Sequence, residues 1–276
     1  MHHFSCFMDS KHFCLMADDV TIADCDRLVK RIEGVKTAMK LDVKFLPKES
    51  SERDISNTVC IVLDIFRATT SIITAVSNGC TTVVPVLSVD DAYSLANQMD
   101  APLFAGERQS IKIEGFHFGN SPFEFSREKV QNQTIVMTTT NGTIAIKSTE
   151  SAYLTLLGSF INAKAVCQAA QKQEKDILLV CAGTDGLFSL EDALCAGLLV
   201  NLLSKGNTYV LTDSAQGVQV MYNGAREDIS EIVSKSRNGK RLYDMGLQKD
   251  VEYCLRTDTV TIVPQYREGK ITLLGS

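Results

Sequence analysis

An aspartate closes the apolar run CIVL, and an arginine and two threonines follow it: the string LDIFRATT carries Asp64, Arg67, Thr69 and Thr70. A carboxylate at the end of such a run, with a guanidinium and hydroxyls at the start of the next helical pattern, suits a cation and an anion together. The acid takes the cation. Arg67, the hydroxyls and the free N–H groups of a helix start take phosphate or sulfonate oxygens. The plainer alternative is an Asp64–Arg67 pair, with Thr69 or Thr70 capping the helix. An acid beside a base recurs in Gly106-Glu107-Arg108, after LFA. The next loop, from Lys112 to Pro122, is dense in Gly115, Gly119, Asn120 and Ser121 and reads as an ordered binding loop. His117 offers an imidazole for acid catalysis, yet it sits between Phe116 and Phe118.

Two further turns complete the set. TTTNGT follows the apolar run TIVM, and its Thr139, Thr140, Asn141 and Gly142 offer donors to an anion. The alternative is a threonine-rich strand entering an Asn-Gly turn. The nucleotide-binding pattern G-x-x-x-x-G-K-[ST] does not occur. CAGTDG and SLED then bring Thr184, Asp185, Glu191 and Asp192 within nine residues. Carboxylates this close repel unless a cation, an arginine or a proton intervenes. Carboxylate oxygens with water suit Mg²⁺. Asp192, third after Ser189, reads as a cap that completes the helix start. Glu191 is favoured there by the helix dipole. Asp185, in a glycine-flanked turn, reads as the better metal ligand.

These residues sit just beyond apolar runs, which is where ligands gather in open α/β sheets. Period-two and continuous apolar patterns predict strands at 41–46, 58–63, 81–86, 102–105, 134–138, 152–157, 176–182 and 260–264, with a further one at 271–274. Helical spacing with start and stop signals predicts helices at 68–78, 89–98, 163–173 and 190–204, and a mostly helical stretch from 213 to 257. Runs such as CIVLD and ILLVCA are apolar throughout, as in a sheet covered on both faces. The expected fold is a three-layer α/β/α arrangement with a largely parallel or mixed sheet. The segments around CIVLD and ILLVCA each run strand, acidic turn, small-residue helix. A distant duplication and the ordinary form of any βα unit explain that equally well. The pattern changes abruptly at Met39, so residues 1–38 read as an N-terminal extension and 39–276 as one domain.

Composition excludes several classes. Of 276 residues, 28 are basic and 33 acidic, a formal net charge of −5, so no basic field for nucleic acid is present. No apolar run reaches the length of a membrane span, and no secretory signal is visible. The nine cysteines include no C-x-x-C pair, and Cys60, Cys181 and Cys195 lie in apolar patterns. They read as buried small hydrophobes in a reduced, cytoplasmic protein.

LDIFRATTS, AGER, KIEGFHFGNSP, TTTNGT, GSFINA and CAGTDGLFSLEDALCAG occur in this order, followed by NGKRLYDMGLQKDVEYC. Together they resemble the 2-phosphosulfolactate phosphatase family, from about Met39 to the C-terminus. The resemblance implies a Mg²⁺-dependent acid phosphatase that converts 2-phospho-3-sulfolactate to 3-sulfolactate and phosphate, a step of coenzyme M or sulfolactate biosynthesis. A small substrate with carboxylate, sulfonate and phosphate groups needs cations and N–H donors, so Arg67, Arg108 and Lys112 are expected to bind it. Thr69, Asn120, Ser121, Thr139, Thr140, Asn141, Gly142 and Thr184 would add donors. Asp64, Asp185, Glu107 and Glu191 are the expected metal set, with Asp64, Arg67 and Asp185 catalytic. In-line attack by water is preferred to a phosphoaspartate on Asp64, because the string Asp-x-Asp-x-Thr is absent. A non-catalytic binder of small sulfonated or phosphorylated acids is the competing class, as is a phosphatase of another small ester. A homo-oligomer is compatible with the sequence.

Overall fold

The structure is a computed structural model that describes residues 38–51, 54–206 and 209–275. The expectation about residues 1–38 therefore lies outside the described residues, Ala38 excepted. In chain order the elements are β1 (Met39–Lys44), α1 (Lys48–Ser51), β2 (Thr58–Leu63), α2 (Ala68–Ser77), β3 (Thr82–Pro85), α3 (Val89–Ala96), β4 (Leu103–Arg108) and β5 (Ile111–Lys112). There follow α4 (Arg127–Val130), β6 (Thr134–Thr138), α5 (Gly142–Lys147), β7 (Leu154–Gly158), α6 (Ala163–Gln171), β8 (Asp176–Cys181), α7 (Leu190–Leu203) and β9 (Tyr209–Leu211). The C-terminal part holds α8 (Asp213–Ala225), α9 (Ile229–Ser234), α10 (Arg237–Asp244), α11 (Gln248–Cys254), β10 (Pro264–Arg267) and β11 (Lys270–Leu273).

The strands form one sheet in the order β5-β4-β6-β3-β11-β10-β7-β2-β8-β1-β9. At one end β4, β6 and β3 are mutually parallel. At the other, β7, β2, β8, β1 and β9 are mutually parallel. The β10–β11 hairpin joins the two blocks through three antiparallel pairings, so the blocks run in opposite directions. Two crossovers pass between them: β2–α2–β3 in one sense and β6–α5–β7 in the other.

The apolar strands serve two faces at once. Along β2, Val59, Ile61 and Leu63 enter one core cluster, while Cys60 and Val62 enter the other. Along β8, Ile177, Leu179 and Cys181 face the first and Leu178 and Val180 the second. Helices α6, α7 and α8 cover the first face, through Val166, Leu194 and Val218 among others. Helices α2 and α5 cover the second, through Ile72, Ile73, Ala145 and Ile146. The result is a mixed, mostly parallel α/β/α sandwich, as expected. Helix α7 is apolar almost all round because it lies between the sheet and α8. At Gly197 a Cβ would stand 2.2 Å from the Val218 carbonyl oxygen, so the two helices approach closely only because that side chain is missing. The described cysteines Cys60, Cys80, Cys167, Cys181, Cys195 and Cys254 are free and buried, and burial pushes the Cys60 thiol up to about 12.

Several elements differ from expectation: β1 ends at Lys44, β4 runs on to Arg108, and α1, β5, α4 and α5 form where none was predicted. Residues 260–263 are extended without strand pairing, and the strand begins at Pro264. It turns tightly into β11 through Glu268 (φ 51°) and Gly269 (φ 77°), the left-handed pair a two-residue hairpin requires. The three-residue strand β9 precedes the helical stretch and is too short to produce a readable period.

Candidate active site

The carboxyl ends of β2 and β6 meet although their blocks are opposed. Gly142, the first residue of α5, lies against Ala68, the first of α2, and against Asp64. A Cβ on it would stand 2.4 Å from the Ala68 Cβ and 2.7 Å from the Asp64 Oδ2. Beside this contact is a narrow polar cavity. Its wall includes Asp64, Arg67, Glu107, Asn120, Thr140 and Asn141, each named from the sequence. Phe66, Ser110, Asn238 and Arg241 complete it.

Asp64 is buried, and its Oδ1 accepts the Ala68 N–H at 3.2 Å. Its pKa is raised to about 7, first by burial and then by the charges of Glu107 and Glu191, against the Ala68 hydrogen bond and Arg67. Arg67 is 3% exposed. Its Nη1 donates to Asp250 Oδ2 at 2.6 Å and its Nη2 to the Ser110 carbonyl at 3.1 Å. The other oxygen of Asp250 accepts the Ser121 hydroxyl at 2.8 Å. Glu107 pins two loops: its oxygens accept the N–H groups of Ser110 (2.7 Å) and Thr140 (2.8 Å).

A second group of acids lies behind the wall. Asp192 accepts the Ile65 N–H at 2.8 Å with one oxygen and the Gly183 N–H at 3.1 Å with the other. It thereby ties the turn after β2 to the turn after β8. Its pKa is raised by burial and then by Asp64 and Glu191. The cap assignment for Asp192 is therefore corrected: Ser189 makes no side-chain cap, and the carboxylate spans two turns instead. The Ser-x-x-Asp spacing is that of a cap, but the neighbouring turns compete for the same oxygens. Glu191 is 1% exposed; its Oε2 accepts the Ser236 hydroxyl, and its Oε1 has no partner.

The buried acids Asp64 and Asp192 both have raised pKa values, and Glu191 has one orphaned oxygen, features that suit a cation. Among the described residues no three acidic, histidine or cysteine side chains converge on one point.

The other expected residues are distributed as follows. Asp185 is 41% exposed on its side chain and pairs with Arg241 at 2.5 Å. Arg108 turns away from the cavity, donating to the Glu107 carbonyl (2.8 Å) and the Thr138 hydroxyl (3.0 Å). Lys112 is exposed on β5, opposite Glu107. Thr69 spends its hydroxyl on the Asp64 carbonyl, 3.0 Å away. Thr139 accepts the Thr143 N–H at 3.1 Å and shapes the start of α5. The Thr184 backbone closes a turn with Leu187. His117 accepts the Phe104 N–H on Nδ1 at 2.9 Å and stacks on the Phe104 ring, outside the cavity. Asn120 lines the cavity with a buried Oδ1 that has no partner.

Sequence reasoning assigned no role to Asn238, Arg241 or Asp250. Asn238 donates to the Phe66 carbonyl at 2.8 Å. The signal for Asn238 and Arg241 was the string NGKR near the start of α10, which follows no strand, whereas Asp250 lies on α11. A second hollow, at the amino ends of β1, β2 and β8, contains Asp42, Asp54 and Asp176. Each accepts a hydrogen bond from a hydroxyl or N–H, and Asp42 is itself buried.

Fold and site together define a three-layer α/β protein with a narrow polar cavity beside buried acids. The sequence profile described as 2-phosphosulpholactate phosphatase matches residues 44–269. The chain belongs to this family of phosphoric monoester hydrolases. A protein of Clostridium acetobutylicum named probable 2-phosphosulfolactate phosphatase is 41% identical over 236 residues, covering 84% of this chain and 100% of that one. Proteins of the same name from Clostridium novyi (38% identical; 85% and 100% covered) and Clostridium kluyveri (39%; 84% and 97%) are also similar.

Proposed function

We propose that this chain hydrolyses 2-phospho-3-sulfolactate to 3-sulfolactate and inorganic phosphate, with Mg²⁺ as cofactor. The carrying observation is the cavity in which Asp64, Arg67 and Asn120 face one another. Family membership and the names of the relatives support the substrate.

Arg67, held from behind by Asp250, directs its remaining N–H donors at the phosphoryl oxygens, where charge spreads in the transition state. The amide of Asn120 and the hydroxyl of Thr140 orient the ester. Asp64 and Glu191 would hold Mg²⁺. When bound, the ion supplies Lewis acidity to the phosphoryl group and lowers the pKa of a coordinated water. Water attacks phosphorus, the bond from phosphorus to the C2 oxygen breaks, and one proton of the water ends on that oxygen.

In this role the chain would serve sulfolactate formation or coenzyme M biosynthesis. Its free, buried cysteines suit a reducing cytoplasm. The test is phosphate release from a panel of phosphate monoesters, with Mg²⁺ and with EDTA. Preference for the sulfonated ester supports the reading, and equal rates on unsulfonated esters contradict it.

A further inference from the structure

The cavity wall carries two guanidinium groups of unequal standing. Arg67 is buried and fixed on Asp250 and the Ser110 carbonyl. Arg241 reaches the wall from the rim. Its side chain is 31% exposed, and its contact is with Asp185, itself 41% exposed. Asp185 sits on a left-handed turn (φ 55°) whose N–H is held by the Asn141 Oδ1 at 3.2 Å. An ion pair this open to water contributes little, so a ligand anion can replace Asp185 at small cost. Arg108 does not line the cavity, its guanidinium being held on the Glu107 carbonyl and the Thr138 hydroxyl.

The proposed substrate has three anionic groups, and its reacting phosphate belongs at Asp64 and Arg67. The carboxylate is bonded directly to the phosphorylated carbon. The sulfonate is one carbon further away, so it is the group that reaches the rim. Sulfonate is a broad, weakly hydrated anion, matched to a guanidinium better than to an ammonium. We infer that Arg241 binds the substrate's sulfonate, exchanging Asp185 for it, and so sets the preference of the site for sulfonated phosphate esters. The inference rests on the phosphatase reading and assigns a residue to the specificity of that site.

The test compares the full chain with Arg241→Met, Arg241→Lys and Asp185→Asn on 2-phospho-3-sulfolactate and on 2-phospholactate, which lacks the sulfonate. Loss of one charge-assisted contact raises KM for the sulfonated ester about 10- to 100-fold in Arg241→Met, at least about tenfold more than for 2-phospholactate. Arg241→Lys recovers part of the loss, and Asp185→Asn lowers KM for the sulfonated ester. Parallel losses on both esters overturn the inference. Calorimetric titration of 3-sulfolactate into the same proteins separates it from the phosphatase reading. If neither ester is hydrolysed yet 3-sulfolactate binds the unaltered chain and binds Arg241→Met at least about tenfold more weakly, the sulfonate site stands without the phosphatase. Equal behaviour of the two proteins toward 3-sulfolactate, including no binding to either, overturns it.

Discussion

The guanidinium of Arg67 lies 2.6 Å from the carboxylate of Asp250, 183 residues later in the chain, and both side chains are 4% exposed. The C-terminal helix α11 thus sets the direction of a cation that begins the helix after β2. Removing the acid leaves a buried charge unpaired, which costs about 3–5 kcal/mol. Asp250→Ala is expected to lower the urea midpoint by a corresponding amount and to abolish most activity. Asp250→Asn keeps an acceptor for Ser121 or Arg67 and is expected to fall between. A midpoint unchanged in Asp250→Ala would show that Arg67 finds another partner.

Gly142 separates the starts of α2 and α5. A methyl group there would overlap Ala68 and the free oxygen of Asp64, at 2.4 and 2.7 Å. Overpacking of this kind costs about 1–3 kcal/mol. Gly142→Ala is expected to fold with reduced stability and to lose far more of kcat than the stability change alone accounts for, because the shift falls on Asp64. Thermal unfolding and steady-state kinetics on the same preparation check this. Wild-type kcat with lowered stability would show that Ala68 moves and Asp64 does not.

Asp192 and Asp185 are seven residues apart and differ in kind. Asp192 accepts two backbone N–H groups, whereas a carboxamide has one acceptor oxygen. Asp192→Asn turns a donor toward Ile65 or Gly183 and is expected to cost about 1–3 kcal/mol. Asp185→Asn removes only an exposed ion pair, worth about 0–1 kcal/mol. Urea denaturation should rank Asp192→Asn as the less stable of the two, and the reverse order would refute the bridging role of Asp192.

Much of this site was legible because polar residues that directly follow a buried strand have few structural reasons to be there. Asp64, Thr140 and Asn141 are such residues, and Glu107 lies one residue before the end of β4; all four are on the cavity wall. That logic failed where chemistry comes from a surface helix. Asn238 and Arg241 lie on the amphipathic α10, where such residues are ordinary. It also misjudged Asp192, because the spacing from Ser189 is that of a cap and only the packing of the two turns reveals the competing donors. Arg108 was expected beyond a strand end, as Arg67 is, yet it closes β4 itself, and the Glu107 carbonyl and Thr138 hydroxyl capture it. The sheet was legible in type from its continuous apolar runs. The opposed direction of its two blocks was not, because a four-residue hairpin strand decides it.

At the amino end of α8, Asp42 accepts hydrogen bonds from Thr212 (2.7 Å), Ser214 (3.0 Å) and its neighbour's N–H at Val43 (2.9 Å). Burial works to raise its pKa, but these bonds and the nearby Lys44 hold it below the usual aspartate value. A depressed folded pKa stabilises the protein above the unfolded value, and that stability is lost as pH falls through the folded one. Between about pH 5 and about pH 2, the unaltered chain is expected to lose more stability than Asp42→Asn, as read from urea midpoints. Parallel profiles would remove Asp42 from the account.

The central claim is that phosphate ester hydrolysis takes place at Asp64 with a bound cation. The direct measurement is inorganic phosphate released from 2-phospho-3-sulfolactate by the purified chain and by Asp64→Asn, each with Mg²⁺ and after EDTA, with circular dichroism to show both are folded. The unaltered chain is expected to release phosphate in a reaction that EDTA abolishes and added Mg²⁺ restores, and Asp64→Asn to lose at least about 100-fold, in the range seen when a metal-binding or reacting group is removed. Wild-type turnover in folded Asp64→Asn, or release that EDTA leaves undiminished, would contradict it.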